Sequence, residues 1–544
     1  MWMAGYAART KPAIGKLTEL WAKVLVLEDG SGNQAVLVTL DLVGIDRDLT
    51  NAIREPLIKE WGFESAQIVV CSSHTHSGPV LWKNLRPLHY LLVDETQQQF
   101  IRDYTNSLAP KIVAAAREAR AALAPAELSW GNGNTDFAVN RRENPEASVP
   151  ARRAESAIVG PSNHEVPVLA VRRPDGTLAA VVFGYACHST VLDSYRWCGD
   201  YPGFAQLELE AAHPDCVALF WAGCGADQNP IPRRSVALAR HYGKRLATAV
   251  DKILLTTEME PVAPLLSTQL EDVPLPFESL PDRQQLQKDA QSENRYTAAR
   301  AKMLLDQIGE GGEGGELDKA YPFPVGAWKL GHEIDFVFLG GETVIDYAIR
   351  LKKELRGNRT WVASYSNDVM AYIPSERVRN EGGYEGGGAM VYYGLPANWD
   401  AGLEERIVDG VKRVLNDNSK ASSPPPPSQE RIVVDASGKG FMTADTHKPF
   451  TLWGVNYDHN EQSQLIEDYW HDDWEQVAED FREIKALGAN VVRIHLQLAK
   501  FVIAPGETDA RNIEKLRQLL ALAEASGLYL DLTGLGCYRK SDVP

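Results

Sequence analysis

The sequence predicts an α/β protein built on a mixed sheet, followed by a smaller segment in which strands and helices again alternate. Two observations carry the prediction. Apolar runs of strand length alternate with helix-period segments over residues 1–415, and polar, metal-ligating residues recur just after those runs. In open α/β sheets the carboxyl ends of strands are where sites are built.

Taken in order, strands are expected at 34–42, 67–72, 126–130, 166–172, 178–187, 216–222, 334–339 and 360–365, where β-branched and aromatic residues cluster. Helices are expected at 47–60, 95–122, 203–212, 235–254, 281–307 and 343–356. Ile112, Ala115, Ala116 and Ala119 recur at the three and four spacing of a buried helical stripe, which supports the long helix after Asp94. The Gly/Glu run 309–315 reads as a flexible surface loop.

A boundary is expected at 416–430, where Ser/Asn-rich sequence leads into Pro424 to Pro427; consecutive prolines favour a stiff, extended spacer. Residues 431–544 then form a second unit. Short strands are expected at 431–435 and 450–453, a buried strand at 489–495 and a further strand at 528–532, with helices at 474–487 and 512–526.

Composition excludes several classes. A formal charge of −17 argues against nucleic acid and against attraction to anionic lipid surfaces, although an acidic surface also simply keeps a protein soluble. No 18-residue apolar span is present, so no transmembrane segment is expected. The six cysteines show no metal or disulfide spacing; Cys71, Cys187, Cys216 and Cys224 lie in or beside apolar strands, where they pack as small hydrophobes. The opening Met1-Trp-Met-Ala-Gly-Tyr6 lacks the charged and apolar regions of a signal peptide.

The chemistry begins at His74-Thr75-His76-Ser77-Gly78-Pro79, directly after the 67–72 strand. In an extended segment alternate side chains share a face, so His74 and His76 serve one cleft, as two ligands or as ligand and neighbour. Alone, the pair reads equally well as two surface histidines in a Ser/Gly/Pro turn. Three further groups sit in similar settings: His188 after 178–187, Glu342 after 334–339, and Tyr372 with Tyr384 after 360–365. Two histidines and a carboxylate are a common hydrolytic zinc set, and such an ion activates water and polarises a carbonyl. Taken singly, His188 could equally be a core histidine, Glu342 a helix-start residue and either tyrosine a packed aromatic.

Together, HTHSGP at 74–79, Asn140-Arg141, Ala186-Cys187-His188-Ser189-Thr190, Gly340-Gly341-Glu342-Thr343 and Ser366-Asn367-Asp368 leading to Tyr372 resemble the neutral/alkaline non-lysosomal ceramidase family, over about residues 3–415. The resemblance implies a zinc-dependent amidohydrolase of ceramide-like N-acyl lipids. It implies Zn2+ held by His74, His188, Glu342 and Tyr372, with His76, Arg141 and Tyr384 at the reaction centre. It also implies a secreted or periplasmic protein whose family begins with a strand ahead of Met3. His76 is the candidate general base, and Tyr384 and Arg141 are candidate donors to the oxyanion. Asn140, Asp227 and Asn229 are candidate substrate-binding residues. One departure stands out: in Gly223-Cys-Gly-Ala-Asp-Gln-Asn-Pro230, Asn229 occupies the place of the family's functional serine. Asn229 reads equally as part of an Asx turn before Pro230.

The second unit, with Trp453-Gly-Val-Asn456 and Gly488-Ala-Asn-Val-Val-Arg493, resembles the opening of a clan A glycoside hydrolase (β/α) barrel. Closing such a barrel takes about 250 residues, so 431–544 is expected to be a partial barrel without its catalytic carboxylates. Two alternative functions remain: a zinc hydrolase of another, glycoconjugate-related amide or ester, and a non-catalytic carbohydrate-binding protein. The expected partner is a small-molecule or lipid substrate.

Overall fold

The computed structural model describes residues 1–256, 259–309, 316–416, 430–435, 437–444, 446–457, 459, 464–504 and 507–536. The chain divides into two compact units, Met1–Ala421 and Ser422–Pro544. The proposed spacer and the Gly/Glu run lie almost wholly outside the described residues.

In the first unit the period-two alternation of the strands decides the architecture, because it gives each strand two apolar faces. Three sheets of more than two strands result among the described residues. One joins Ala22–Glu28, Gln34–Leu40 and Ile68–Ser72; a second runs Val217–Ala222, Leu178–Tyr185, Glu165–Arg172, Glu127–Asn134 and Glu260–Pro261. A third runs Leu266–Pro276, Ala320–Leu330, Ile334–Leu339 and Thr360–Ala363. Each contains both parallel and antiparallel pairs.

The burial pattern stacks these sheets in two layers. Val36, Val38, Val70, Val168, Phe183 and Phe220 pack against Arg47–Trp61, Glu95–Ala121, Asp200–Ala212 and Val236–Leu254, the helices covering the first two sheets. The alternate residues Leu37, Val69, Leu169, Val182, Leu219 and Trp221 face Trp328, Phe336, Phe338 and Trp361 of the third sheet. The far side of that sheet, through Val325, Val337 and Val362, packs on helices Ile345–Glu354 and Leu403–Asn416. The order is therefore helices, sheets, sheet, helices, with both β layers buried on both faces, which is why their strands read as continuous apolar runs.

Several expectations shift. The helix expected at 281–307 is two helices, Arg283–Asp289 and Arg295–Ile308, because the Asn294 carboxamide caps the second by accepting from the Tyr296 and Thr297 amides. The strand expected to 187 ends at Tyr185, and the helix expected from 203 starts at Asp200. The long pair Leu266–Pro276 and Ala320–Leu330 was not expected: Pro274, Pro276, Pro322 and Pro324 argue against strands, yet here Pro274 sits opposite Pro322 in an antiparallel ladder. Ala22–Glu28 and Leu403–Asn416 were also missed.

The second unit has its own core of Trp470, Val477, Phe481, Val492, Ile494 and Leu519. Gly454–Asn456, Val491–Gln497 and Tyr529–Gly536 form a three-stranded parallel sheet, with helices Trp474–Ala486 and Ala510–Ala525 between successive strands. The strand expected at 450–453 is instead Pro449–Phe450, part of a separate antiparallel sheet. Among the described residues no helix is long and apolar enough to cross a membrane.

The contact between the β layers centres on Trp221, which is 1% exposed and lies within 6.3 Å, centroid to centroid, of Trp328, Phe336, Phe338 and Trp361. Trp221→Ala should cost about 3–5 kcal/mol in denaturant unfolding, and Trp221→Phe clearly less.

Candidate metal centre and cleft

Five strands from both β layers end at one place. His74 and His76 follow Ile68–Ser72, His188 follows Leu178–Tyr185, Asn229 follows Val217–Ala222, Glu342 follows Ile334–Leu339, and Tyr372 follows Thr360–Ala363. Main-chain hydrogen bonds tie the loops together: His76 N donates to Ser189 O (3.2 Å) and His188 N to Gln228 O (3.0 Å). Glu342 and Tyr372 are register partners in a short parallel pair, which sets their side chains next to one another.

His74 adopts a left-handed conformation, φ 58°. The 74–76 segment is therefore a turn and not the extended strand expected from sequence. The turn, not strand alternation, brings the His74 and His76 rings to 4.7 Å, edge to face. Tyr365 and Asn367, on a neighbouring loop, also have positive φ, so strained backbone gathers at this spot.

The tautomers follow from the hydrogen bonds. His74 Nδ1 donates to Val43 O, and His188 Nδ1 donates to Gly225 O at 2.7 Å. Each therefore turns its Nε2 inward, a lone pair when the ring is neutral. These lone pairs meet others: His74 Nε2 lies 3.1 Å from Glu342 Oε2 and 3.1 Å from His76 Nε2, and His188 Nε2 lies 3.3 Å from the same carboxylate oxygen. Glu342 Oε2 and His76 Nδ1 are buried without a hydrogen-bond partner. Ligand atoms of His74, His76 and His188 all fall within 4.8 Å of one another. Buried acceptors facing acceptors repel unless a cation or proton lies between them, and a nitrogen and oxygen donor set of this kind fits a divalent transition ion.

The electrostatics agree. Burial, reinforced by His74 and His188, pushes the His76 imidazole well below its ordinary value. Burial and then Arg141 bring His188 down to about 4. Both rings are neutral near pH 7, the form that ligates a metal or accepts a proton. Burial works to raise Glu342, but the neighbouring His74 and then His188 prevail and hold its carboxyl well below the usual range, so a positive charge, proton or cation, is favoured between it and the rings. Tyr372 is driven well above the ordinary phenol value by burial and by Glu342. It is a phenol here, 3.2 Å from His188 Nε2 and accepting from Arg141 Nη2 at 3.1 Å.

The group opens onto a cleft of about 540 Å3 whose walls include His76, Arg141, Asn229, Tyr372 and Tyr384. Tyr384, 46% exposed, stands on the rim. Arg141 is fixed from three sides, donating to Glu385 Oε1 (2.7 Å), Tyr372 Oη and Asn229 Oδ1 (3.4 Å). Asn140 and Asp227, expected to touch substrate, are not among the lining residues. Asp227 accepts from Asn140 Nδ2 and from the Ile345 amide, both at 3.0 Å, and its carbonyl accepts from the Arg141 amide. They hold the loops that carry Arg141 and Asn229.

Sequence reasoning missed four participants. Tyr393 donates to Glu342 Oε1, fixing the carboxylate from behind. Glu385 bridges Arg141 and Arg142. Gly5 and Tyr6 cover His76, the Tyr6 ring lying 4.8 Å from the imidazole. None stands in a sequence pattern that signals a ligand; only the adjacency of Glu385 to Tyr384 was a clue.

The fold and this donor set together define a class: an α/β protein with a buried metal-type centre at strand carboxyl ends. The comparisons point to a family. Residues 1–218 match the family model described as neutral/alkaline non-lysosomal ceramidase, N-terminal. That stretch holds His74, His76, Arg141 and His188; Glu342, Tyr372 and Tyr384 lie beyond it. The neutral ceramidase of Pseudomonas aeruginosa is 25% identical over 216 residues, 38% of this chain and 31% of its own length, so the matched part spans about a third of that relative. The crystal structure of neutral ceramidase from Pseudomonas aeruginosa superposes with a TM-score of 0.55 at 18% identity, covering 76% of this chain and 70% of that one. A ceramidase complexed with C2 gives 0.57 at 17% identity, with 85% and 78% covered. At these identities the structural likeness is one of fold.

Two outcomes test the geometry. Gly5 has φ 93°, and a Cβ there would overlap the His76 ring. A crystal structure of Gly5→Ala should show His76 displaced from His74, with the Nε2 to Nε2 separation lengthened beyond 3.1 Å. Tyr393→Phe should weaken divalent-ion affinity about 10-fold in chelator competition, since it removes the donor that orients Glu342; unchanged affinity would assign Tyr393 to packing alone.

Proposed function

We propose that this chain is a zinc-dependent amidohydrolase that cleaves the amide bond of a ceramide-like N-acyl lipid. The observation that carries the reading is the convergence of the inward-facing His74 and His188 Nε2 atoms on Glu342 Oε2, beside a cleft that holds Arg141 and Tyr384. The N-terminal family match and the name of the curated relative support the substrate class.

In this reading His74, His188, Glu342 and Tyr372 hold Zn2+. Once bound, the ion supplies Lewis acidity, making water acidic and drawing charge from the scissile carbonyl. His76, neutral and at the cleft wall, takes a proton from the attacking water and passes it to the leaving nitrogen. The new C–O bond and the broken C–N bond give a carboxylic acid and an amine. Arg141, held by Glu385, Tyr372 and Asn229, and Tyr384 on the rim donate to the oxygen that gains charge. Asn229 is the polar contact where the family carries serine.

One observation favours a second reading, hydrolysis of a more polar amide or ester. The cleft wall includes Arg142, Asn144, Glu146 and Arg233, charged or amide groups suited to a hydroxyl-rich substrate more than to two alkyl chains. For the second unit we infer the opening of a (β/α) barrel, supported by its three parallel strands with intervening helices.

Metal analysis of the purified chain should find about one zinc per chain, the stoichiometry of a mononuclear hydrolytic site. His188→Ala should lose most of it. His76→Ala should keep the metal and lose turnover, measured as fatty acid released from a panel of N-acyl lipids. Equal metal loss in both variants would make His76 a ligand, and absence of metal after reconstitution would favour a non-catalytic, carbohydrate-binding role.

A further inference from the structure

Beside the cleft lies a second, larger cavity of about 1050 Å3 to which nothing above gives a role. The two share a partition. Ala7 lines the cleft, and its carbonyl accepts from Arg295 Nη2 (3.2 Å) and Tyr296 Oη (3.0 Å), while Arg295 lines the second cavity. Tyr392 faces the cleft and Tyr393 the cavity.

The cavity wall is cationic in a chain whose net charge is −17. Lys83 and Asp48 pair with one another and cancel, which leaves Arg86, Arg295 and Lys302 against Asp306. Among the described residues no carboxylate forms an ion pair with Arg86, Arg295 or Lys302. Arg86 is the clearest sign of a missing partner. Its guanidinium lies 5.8 Å from the Tyr90 ring centroid, and its Nε is buried without an acceptor. Buried donors in native proteins have partners, and Arg86, a lining residue with no ion-pair carboxylate among the described residues, leaves its cationic head open to an acceptor from outside the chain. The rest of the wall is largely aliphatic, with Leu91, Leu92, Met303 and Leu395. Cations together with aliphatic surface suit a molecule that is anionic at one end and apolar along the other.

We propose that this cavity binds a fatty carboxylate taken up from solution, its head on Arg86 and Lys302 and its chain along Leu91, Leu92 and Leu395. Planar, bidentate recognition of a carboxylate is what a guanidinium does best, and the charge-assisted bonds give the head its share of the affinity. The site is separate from the metal-type centre and does not depend on the activity assigned to it.

The test is calorimetric titration of the full chain with decanoate below its micellar concentration, with decyltrimethylammonium as the control of opposite charge. Saturable binding of decanoate, absent for the cation and weakened about 10-fold or more in Arg86→Met and in Lys302→Met, is the expected result. Lys302 is an exposed residue of the Arg295–Ile308 helix, so its variant reports even if Arg86→Met fails to fold. Decanoate should bind His188→Ala as it binds the unaltered chain. Three results would overturn the proposal: undiminished affinity in both cavity variants, equal binding of the cation, or loss of binding in His188→Ala, which would move the carboxylate to the metal-type centre.

Discussion

Two hydrogen bonds to main-chain carbonyls govern the site. By giving the Nδ1 protons of His74 and His188 to Val43 O and Gly225 O, the loops oblige both rings to present their Nε2 atoms to one buried point, where Glu342 Oε2 already stands. Apart from the Tyr372 hydroxyl, 3.2 Å from His188 Nε2, these three acceptors and His76 face one another. A fold that assembles mutually repelling groups must over-determine their positions from elsewhere. Here that restraint comes from the cross-loop bonds His76 N to Ser189 O and His188 N to Gln228 O, and from the register of Glu342 with Tyr372.

The same requirement accounts for the two β layers. His74, His76, His188 and Asn229 follow strands of the first two sheets, while Glu342 and Tyr372 follow strands of the third. A donor set drawn from both layers keeps its geometry only if the layers cannot slide. The aromatic packing of Trp221 with Trp328, Phe336, Phe338 and Trp361 supplies that rigidity, and main-chain bridges join the sheets close to the site, Cys71 to Ser366 and Gly223 to Ala363. Left-handed backbone at His74, Tyr365 and Asn367 sits where the loops leave these bridged strands. The strained backbone of the site thus sits where the rest of the structure is least able to relax.

Much of the first unit was legible because its strands are apolar on both faces and short, and because helices such as Glu95–Ala121 carry a strong stripe. The expected strand at 334–339 has the observed bounds Ile334–Leu339. What failed was non-local. Four prolines hid the pair Leu266–Pro276 and Ala320–Leu330, whose pairing partner, and not its own composition, makes it a ladder. Site residues that follow an apolar run, such as His188 and Glu342, could be found by position alone. Tyr393, Gly5 and Glu385 could not, because their importance lies in what they touch: Tyr393 is fifty-one residues from Glu342 and Glu385 is 244 from Arg141. The sequence placed His74 and His76 together for the wrong reason, strand alternation, when a left-handed turn does it. Asn140 and Asp227 carried polar character that suggested substrate contact, but they bond to each other and to the surrounding main chain.

Arg141 shows how these layers of restraint reach the chemistry. Its backbone amide is anchored on Asp227 O, its Nε on Glu385, and its terminal nitrogens on Tyr372 and Asn229. Burial alone would raise the Glu385 carboxyl, but Arg141 and Arg142 hold it below the usual range, so it is a carboxylate with two guanidinium partners. A guanidinium held in this way does not reorganise when a nearby oxygen gains charge, and that saved reorganisation is the main source of electrostatic stabilisation in enclosed sites. Asn229 then acquires a physical meaning independent of any serine chemistry. Its Oδ1 accepts from Arg141, a bond that a nucleophilic hydroxyl would have to give up in order to react. At this position the chain uses an amide to aim an arginine.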